Sequence, residues 1–411
     1  MPNSHDAIIV GGGIAGSGLA TTLARAGKSV LLLEKTTEFQ DVVRGEWIAP
    51  WGIIDAQKAG LLDTLLAAND HYLPYHIEYG DGIDPDAALA RKLDLTAFLP
   101  GVPGPLAIGH PQACQALLDA ASTAGAATLR GATDITLEPG STPSVTYTHE
   151  GATHTARARL VVGADGRGSI VRRQARIDLH QDPTHHYFAG LLVDNVDGWP
   201  EDVQTMGTER DVQFFVFPQG HGRSRLYLSF ANEQKSRLAG SDNQQRFLDA
   251  FRLETVPHSH SLANARPAGP CHTIPNQSTW VDNPVAPGLV LIGDAAGYND
   301  PIIGQGLAVS LRDVRIVTEL LFATDDWSAN TLAPYAEERR ERMRRLRFSA
   351  AFDSVLHAEF GPEATARKLR ILERSAADPT FALCRAAVML GPELMPPAAF
   401  TDDEWQRLTR V

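Results

Sequence analysis

Short apolar runs, each closed by glycine or an acid, punctuate this chain. Residues 7–10 read as a buried strand, and Gly11, Gly12 and Gly13 follow at once. A helical run then extends to about Ala26, with Gly27 as its stop signal, and residues 29–33 form a second strand ending at Glu34. Two further strands, over residues 159–163 and 289–292, each run into a Gly- and Asp-containing turn. Runs this apolar read as buried strands. Residues 176–274 change character. Leu226, Leu228 and Phe230 alternate with Arg225, Tyr227 and Ser229, the pattern of a half-buried strand, and residues 212–217 pair with it as a hairpin around 218–223. Residues 187–193 are another strand candidate. The stretch 346–411 looks helical, and 337–347 is a charge-dense helix whose arginines read as a solvated face or as a subunit contact.

The turns carry the candidate chemistry. Strand, glycine-rich turn, helix and a second strand ending in an acid make a complete dinucleotide-binding βαβ pattern. Gly11 serves the tight turn, Gly13 the approach of a pyrophosphate, Gly16 close helix–strand packing, and Glu34 the adenosine ribose hydroxyls. An acid at position 34 disfavours a 2′-phosphate but does not separate NAD from FAD. After the strand at 289–292 come Gly293, Asp294, Pro301, Gly304 and Gly306, then an apolar helical stretch over 307–317. A carboxylate at a strand end followed by glycines at a helix start suits a pyrophosphate-and-ribityl cofactor, because the helix N-terminus offers free N–H groups. Asp165, in Gly163-Ala164-Asp165-Gly166, reads either as a cofactor residue or as an ordinary Asp-Gly turn former.

These motifs in this order resemble the single-component FAD-dependent aromatic hydroxylases, the para-hydroxybenzoate hydroxylase type of monooxygenase, over residues 6–347, about four-fifths of the chain. The resemblance implies an α/β fold. A discontinuous, Rossmann-like FAD-binding domain (1–175 and 275–345) would hold an inserted antiparallel β-sheet substrate domain (176–274), with a C-terminal helical segment (346–411). It also implies cofactor contacts. The ADP part would meet Gly11, Gly13, Ile14, Ala15, Gly16, Glu34 and Lys35, and the ribityl-pyrophosphate part Gly293 and Asp294. Asp165 would serve both FAD and the nicotinamide coenzyme. The isoalloxazine would lie against the loop from Pro301 through Gly304 and Gly306 to Leu307, with Arg44 reaching the flavin side. Pro301, Gly304 and Tyr298 are then the candidates for the catalytic part of the site. Two positions depart from the family. His110 stands where an Arg is common, so it either replaces a permanent charge near the pyrophosphate by a titratable one or simply begins a helix. Gly297 stands where His is common, which leaves space or flexibility beside the flavin.

The implied reaction is reduction of FAD by NADH or NADPH, reaction with O₂ at C4a, and delivery of one oxygen from the hydroperoxide to an electron-rich small molecule, aromatic by preference. Trp47, Tyr72, His186, Phe215, Phe217 and Tyr298 are the candidates for orienting that substrate. A flavin-dependent halogenase fits less well: Trp47-Ile48-Ala49-Pro50 does not match that family's tryptophan motif, and no Lys lies between Lys58 and Lys92. A reductase or dehydrogenase of the same fold keeps all the motifs, and a non-catalytic flavin module is the non-enzyme alternative.

Composition narrows the setting. An apolar fraction of 43% in 411 residues supports a sizeable core. A net charge of −12 gives no footprint for nucleic acid or anionic membranes. Cys114, Cys271 and Cys384 are far apart and lack metal spacing, so reduced cytoplasmic thiols are expected. No metal site is expected, because His180, His185 and His186 lack a carboxylate at ligand spacing. With the first strand beginning near residue 7, no signal peptide is expected, and because no apolar run approaches the ~18 residues of a spanning helix, none is expected either. Oligomeric state is not legible.

Overall fold

The computed structural model describes residues 4–43 and 45–410. Its first sheet is built on parallel strands: Leu289–Leu291, Ala152–Gly163, Ser4–Val10, Val30–Glu34 and Ala127–Arg130, in that order. Ile9 pairs with Val162 on one side and with Leu32 on the other. Side chains alternate between faces, and both faces are buried. Ala7, Ile9, Leu32, Val162 and Val290 pack under helices, while Ile8, Val10, Leu31, Val161 and Leu291 form a second core layer behind. The helices on the first face are Ile14–Arg25, His110–Thr123 and Gly306–Ala323. The last strand, Leu289–Leu291, adds in parallel beside Ala152–Gly163, so the sheet is completed only after the chain returns from an excursion of more than a hundred residues. That return brings the three turns to one sheet end.

The excursion forms a second, mostly antiparallel sheet. Its order is Arg266–Pro267, His186–Asp194, Arg223–Ala231, Val212–Gly220, Val203–Glu209, Tyr75–Gly80 and Leu93–Asp94. The hairpin turn is tighter than the sequence pattern suggests. Pro218 and Gly220 remain in the strand, across a register shift that accommodates the proline, and the loop is His221-Gly222. Both loop residues have positive φ, 57° and 69°, the geometry that matches the strand twist. Two of these strands come from outside the 176–274 span: Tyr75–Gly80 runs parallel to Val203–Glu209, and Leu93–Asp94 pairs antiparallel with its start. The sheet therefore takes in part of the first segment, because its edge needs a partner that the insertion does not supply.

The strand Arg223–Ala231 is buried on both sides, not half-buried. Leu226, Leu228 and Phe230 enter one core, whereas Arg225, Tyr227 and Ser229 are also buried, on the face turned to the first sheet. A long helix, Ala329–His357, crosses the expected 345/346 boundary, and shorter helices including Pro362–Ala377 and Asp402–Thr409 pack around its C-terminal half. No helix of the described residues is long and apolar enough to cross a membrane.

Candidate active site

The glycine-rich turn after the first strand divides its work among its residues. Gly11 has φ +106°, and a Cβ there would lie 2.3 Å from the Ala164 carbonyl oxygen. A Cβ on Gly16 would lie 1.8 Å from the Gly11 oxygen. At Gly13 nothing lies within 4 Å of that position. Gly13 also precedes the helix Ile14–Arg25, which has no side-chain cap, so the first-turn N–H groups with Ile14 and Ala15 border open space. Glu34 closes the cradle: one oxygen accepts from Gly12 N at 2.6 Å, the other from Thr36 N and Oγ1 at 2.8 Å each. Lys35 is exposed just beyond it.

The third turn touches the first, since a Cβ on Gly293 would meet Ala15 Cβ at 3.1 Å. It is held from behind by buried charge. Asp313 accepts from Gly293 N at 2.8 Å and pairs with Arg339 at 3.1 Å and Arg342 at 2.7 Å. Arg339 also donates to the carbonyls of Gly293, Ala296 and Gly297 at 2.9–3.0 Å. Burial opposes the Asp313 charge, but the two arginines outweigh it and hold the carboxyl below its usual range. Arg339 and Arg342 are each 3% exposed. They are a clamp on the loop, which corrects the solvated-face reading of 337–347. Gly297 is corrected too. With φ +99° and only 2.5 Å from a would-be Cβ to the Thr279 oxygen, it is a tightly packed glycine rather than a source of space.

Asp294 faces the cavity, with Arg167 Nε 3.4 Å from its carboxylate and the Arg167 guanidinium stacked 4.3 Å from the Tyr298 ring centre. Tyr298 turns its hydroxyl to Gln277 Nε2 at 3.1 Å. Asp165 is spent on its own turn, accepting from Ser169 Oγ at 2.5 Å and from Ile170 N and Val171 N at 2.6 and 3.2 Å. This is capping of the helix Ile170–Gln174, the turn-forming alternative. Arg172 is buried and donates to Ala295 O at 3.0 Å, tying the second turn to the third.

Pro301 begins a short 3-10 turn whose Asp300 accepts from Ile302 N at 2.9 Å. Burial, resisted by that bond, by Arg167 and by Asn276, pushes the Asp300 carboxyl up to about 7. Gly304 adopts φ +65°, and a Cβ there would sit 3.1 Å from the Trp47 ring. Gly306 opens the helix Gly306–Ala323 with nothing within 4 Å of a would-be Cβ, and Leu307 is buried beside it. His110 heads its helix. Its Nδ1 donates to Gly45 O at 3.1 Å, so Nε2 is the atom facing Cys114 Sγ at 3.5 Å. Arg44 lies outside the described residues.

A cavity of about 850 Å³ joins these parts, from Gly13, Gly293 and Gly306 to the inner face of the second sheet. There Phe188, Phe215, Phe217 and Tyr227 stand in stacked, tilted and edge contacts 4.9–6.0 Å apart, with Trp47 6.3 Å from Phe217. Trp47, Phe215, Phe217 and Tyr298 of the substrate candidates line it. Tyr72 and His186 do not: His186 is fully buried, bonded to Asn276 at 2.8 Å, and burial with His185 beside it lowers its pKa to about 3. Glu46 and Tyr227 also line it, over the buried Arg225, which pairs with Glu46 and with Asp41 at 2.6 Å. Burial raises the Glu46 carboxyl despite Arg225. Sequence reading missed Glu46, His76, Glu78 and Gln204 on this wall. The period-two pattern of residues 75–80 was the available signal for two of them.

A cradle of glycines and free N–H groups leading into an aromatic chamber has the geometry of a dinucleotide-cofactor site, and the comparisons identify the cofactor. A family model described as FAD binding domain matches residues 4–349; the chain belongs to that family, and FAD is its cofactor. Squalene monooxygenase SE1 of Panax ginseng is 28% identical over 343 residues, 82% of this chain and 62% of that protein. The chain thus spans under two-thirds of that relative's length. Digeranylgeranylglycerophospholipid reductase 1 of Methanococcoides burtonii is 27% identical over 350 residues, 83% of this chain and 80% of that one. Among solved structures, p-nitrophenol 4-monooxygenase from Pseudomonas putida DLL-E4 has the same fold, with a TM-score of 0.78 at 17% identity over 95% of this chain and 99% of that one.

Proposed function

We propose that this protein is a single-component FAD-dependent monooxygenase that uses NADH or NADPH and O₂ to hydroxylate or epoxidise a compact, electron-rich, aromatic small molecule. The observation that carries this reading is the continuity of the cofactor cradle with an aromatic chamber. The first-turn N–H groups after Gly13 would hold the pyrophosphate, Glu34 the adenosine ribose, and Asp294 the ribityl side, while the turn from Pro301 to Leu307 would back the ring system. When bound and reduced, FAD supplies the activation of O₂ for transfer of one oxygen atom.

The chain's own residues do the rest. Phe188, Phe215, Phe217 and Tyr227 offer flat apolar surfaces against which a ring would be fixed. Ile302, Ile303 and Leu307 keep water from the cofactor side, since each is buried. Tyr227 remains a neutral hydroxyl, because burial and then Glu46 hold its pKa well above the ordinary value. It can donate toward a substrate or keep its 3.5 Å contact with Glu46. About 850 Å³ must serve the cofactor's ring end as well as the substrate, which favours a compact molecule over a long isoprenoid chain.

The reductase relative supports a second reading, oxygen-independent reduction of an alkene. Oxygen uptake in step with NAD(P)H oxidation, assayed against phenols and heteroaromatics, separates the two. Substrate-stimulated uptake with an oxygenated product supports the oxygenase. Alkene reduction under argon would replace it by the reductase.

A further inference from the structure

On the inner face of the second sheet, one row of cross-strand neighbours runs Tyr227, Phe215, Met206, Glu78, and the next pairs Gln204 with His76. With strands about 4.8 Å apart, the row carries the cavity roughly 14 Å from the aromatic chamber to a polar end. That end is assembled from distant segments: His76 and Glu78 on the sheet edge, Asp353 on the long helix, and Arg385 beyond it, all lining the cavity. Lys368 and His357 stand immediately behind. Lys368 Nζ is 3.1 Å from Glu78 Oε1, and Arg385 Nε is 3.3 Å from Asp353.

The hydrogen-bond polarity of this end can be read outward from Trp47. Its Nε1 donates to Gln204 Oε1 at 2.7 Å, which turns the Gln204 amide nitrogen to His76 Nδ1 at 3.4 Å. His76 therefore accepts at Nδ1 and carries its proton on Nε2. Burial, against the pull of Glu78, lowers its pKa to about 4, so it is a neutral donor. His357 is likewise neutral, pushed well down by burial and Lys368. Burial opposes the Glu78 charge, but the cations Lys368 and Arg385 outweigh it and keep the carboxyl ionised. Two cations, Lys368 and Arg385, then face Glu78 and Asp353, the latter's carboxyl raised by burial against the pull of Arg385. Glu78 Oε1, Lys368 Nζ and His357 Nδ1 remain buried without an aligned hydrogen bond, so the cluster is charge-balanced yet has hydrogen-bonding capacity to spare.

We propose that this end of the cavity is the specificity site for an uncharged oxygen-bearing substituent (hydroxyl, keto or carboxamide) on the substrate ring, with His76 and Arg385 donating and Glu78 and Asp353 accepting. The balance of charge decides against an ionic substituent. A carboxylate or ammonium would lose its hydration and find every opposite charge already paired. A neutral group pays far less on entry and finds both donors and acceptors. The assignment rests on the reading of the aromatic chamber as the substrate site, but not on any particular reaction there.

The test is binding to the FAD-loaded enzyme, read from perturbation of the flavin absorption bands, with naphthalene, 2-naphthol, 2-naphthamide and 2-naphthoate as probes on one ring. The expected result is that 2-naphthol and 2-naphthamide bind on the order of tenfold tighter than naphthalene and 2-naphthoate. His76→Leu should erase that preference without changing naphthalene binding, and His76→Gln, which keeps a donor, should restore it. If His76→Leu does not retain FAD, Arg385→Lys serves in its place and should narrow the preference. Tightest binding of 2-naphthoate, a preference unchanged in the variant, or no perturbation by any probe would overturn the assignment. Because no turnover is needed, a His76-dependent preference in an enzyme that never consumes O₂ would sink the oxygenase and leave this site standing.

Discussion

Gly13 and Gly16 belong to one turn, yet their substitution should fail in different ways. A Cβ at Gly13 enters open space, so Gly13→Val should fold with a melting temperature close to that of the wild-type apoprotein and lose its FAD, read as the ratio of flavin to protein absorbance. Gly16→Ala drives a methyl into the Gly11 carbonyl at 1.8 Å and should destabilise the apoprotein itself. A folded Gly13→Val protein with stoichiometric FAD would remove this turn from the site. Asp300 offers a pH test. Its carboxyl value is about 7 in the folded chain, against the ordinary 3.8. The folded state therefore binds more protons than the unfolded one between those values, and stability falls as pH rises through that window. Asp300→Asn keeps an acceptor for Ile302 N and removes the titration. Its stability relative to wild type should improve by about 2–3 kcal/mol from pH 5 to pH 8 in urea titrations. A difference that stays flat with pH would mean the carboxyl is not held protonated. Gly11 and Gly16 were legible because each answers a local steric demand, and Gly13 because the motif leaves open space there for a ligand. Asp165 and Gly297 were not, because whether a carboxylate caps a helix or faces a ligand depends on where residues 169–171 and 279 end up.

At the scale of elements, the long helix Ala329–His357 has the least expected role. Its charge-dense sequence resembles a surface helix, and only the folded chain brings Arg339 and Arg342 onto Asp313 and the 293–297 carbonyls. Arg339→Met should cost about 3–5 kcal/mol in urea denaturation of the apoprotein, as expected for an opened buried pair, and should weaken FAD binding as the loop relaxes. An unchanged denaturation midpoint would show that the clamp carries no stability. The parallel strands were readable because burial on both faces makes them apolar throughout. The inner strands of the second sheet misled for the opposite reason: Arg225, Tyr227 and Ser229 look solvent-facing by periodicity, but the face they occupy is turned to a buried ion pair and the cavity. Alternation tells two faces apart. It does not say whether the polar face meets water or a binding site.

The whole molecule places the cavity between segments far apart in sequence: the first turn, the sheet edge at 75–80, the inserted strands, and the C-terminal helices. FAD binding was legible in local motifs, whereas the proposed substrate end was not, since His76, Asp353 and Arg385 share no motif and meet only through the fold. The central claim is that one atom of O₂ reaches a substrate held in this cavity. With a substrate found by screening NAD(P)H-dependent oxygen uptake, turnover under ¹⁸O₂ followed by mass spectrometry of the product tests it directly. The expected result is a product heavier by one ¹⁸O atom, with label absent when the isotope is supplied as water. A product that forms under argon, or that carries no label from ¹⁸O₂, would contradict it.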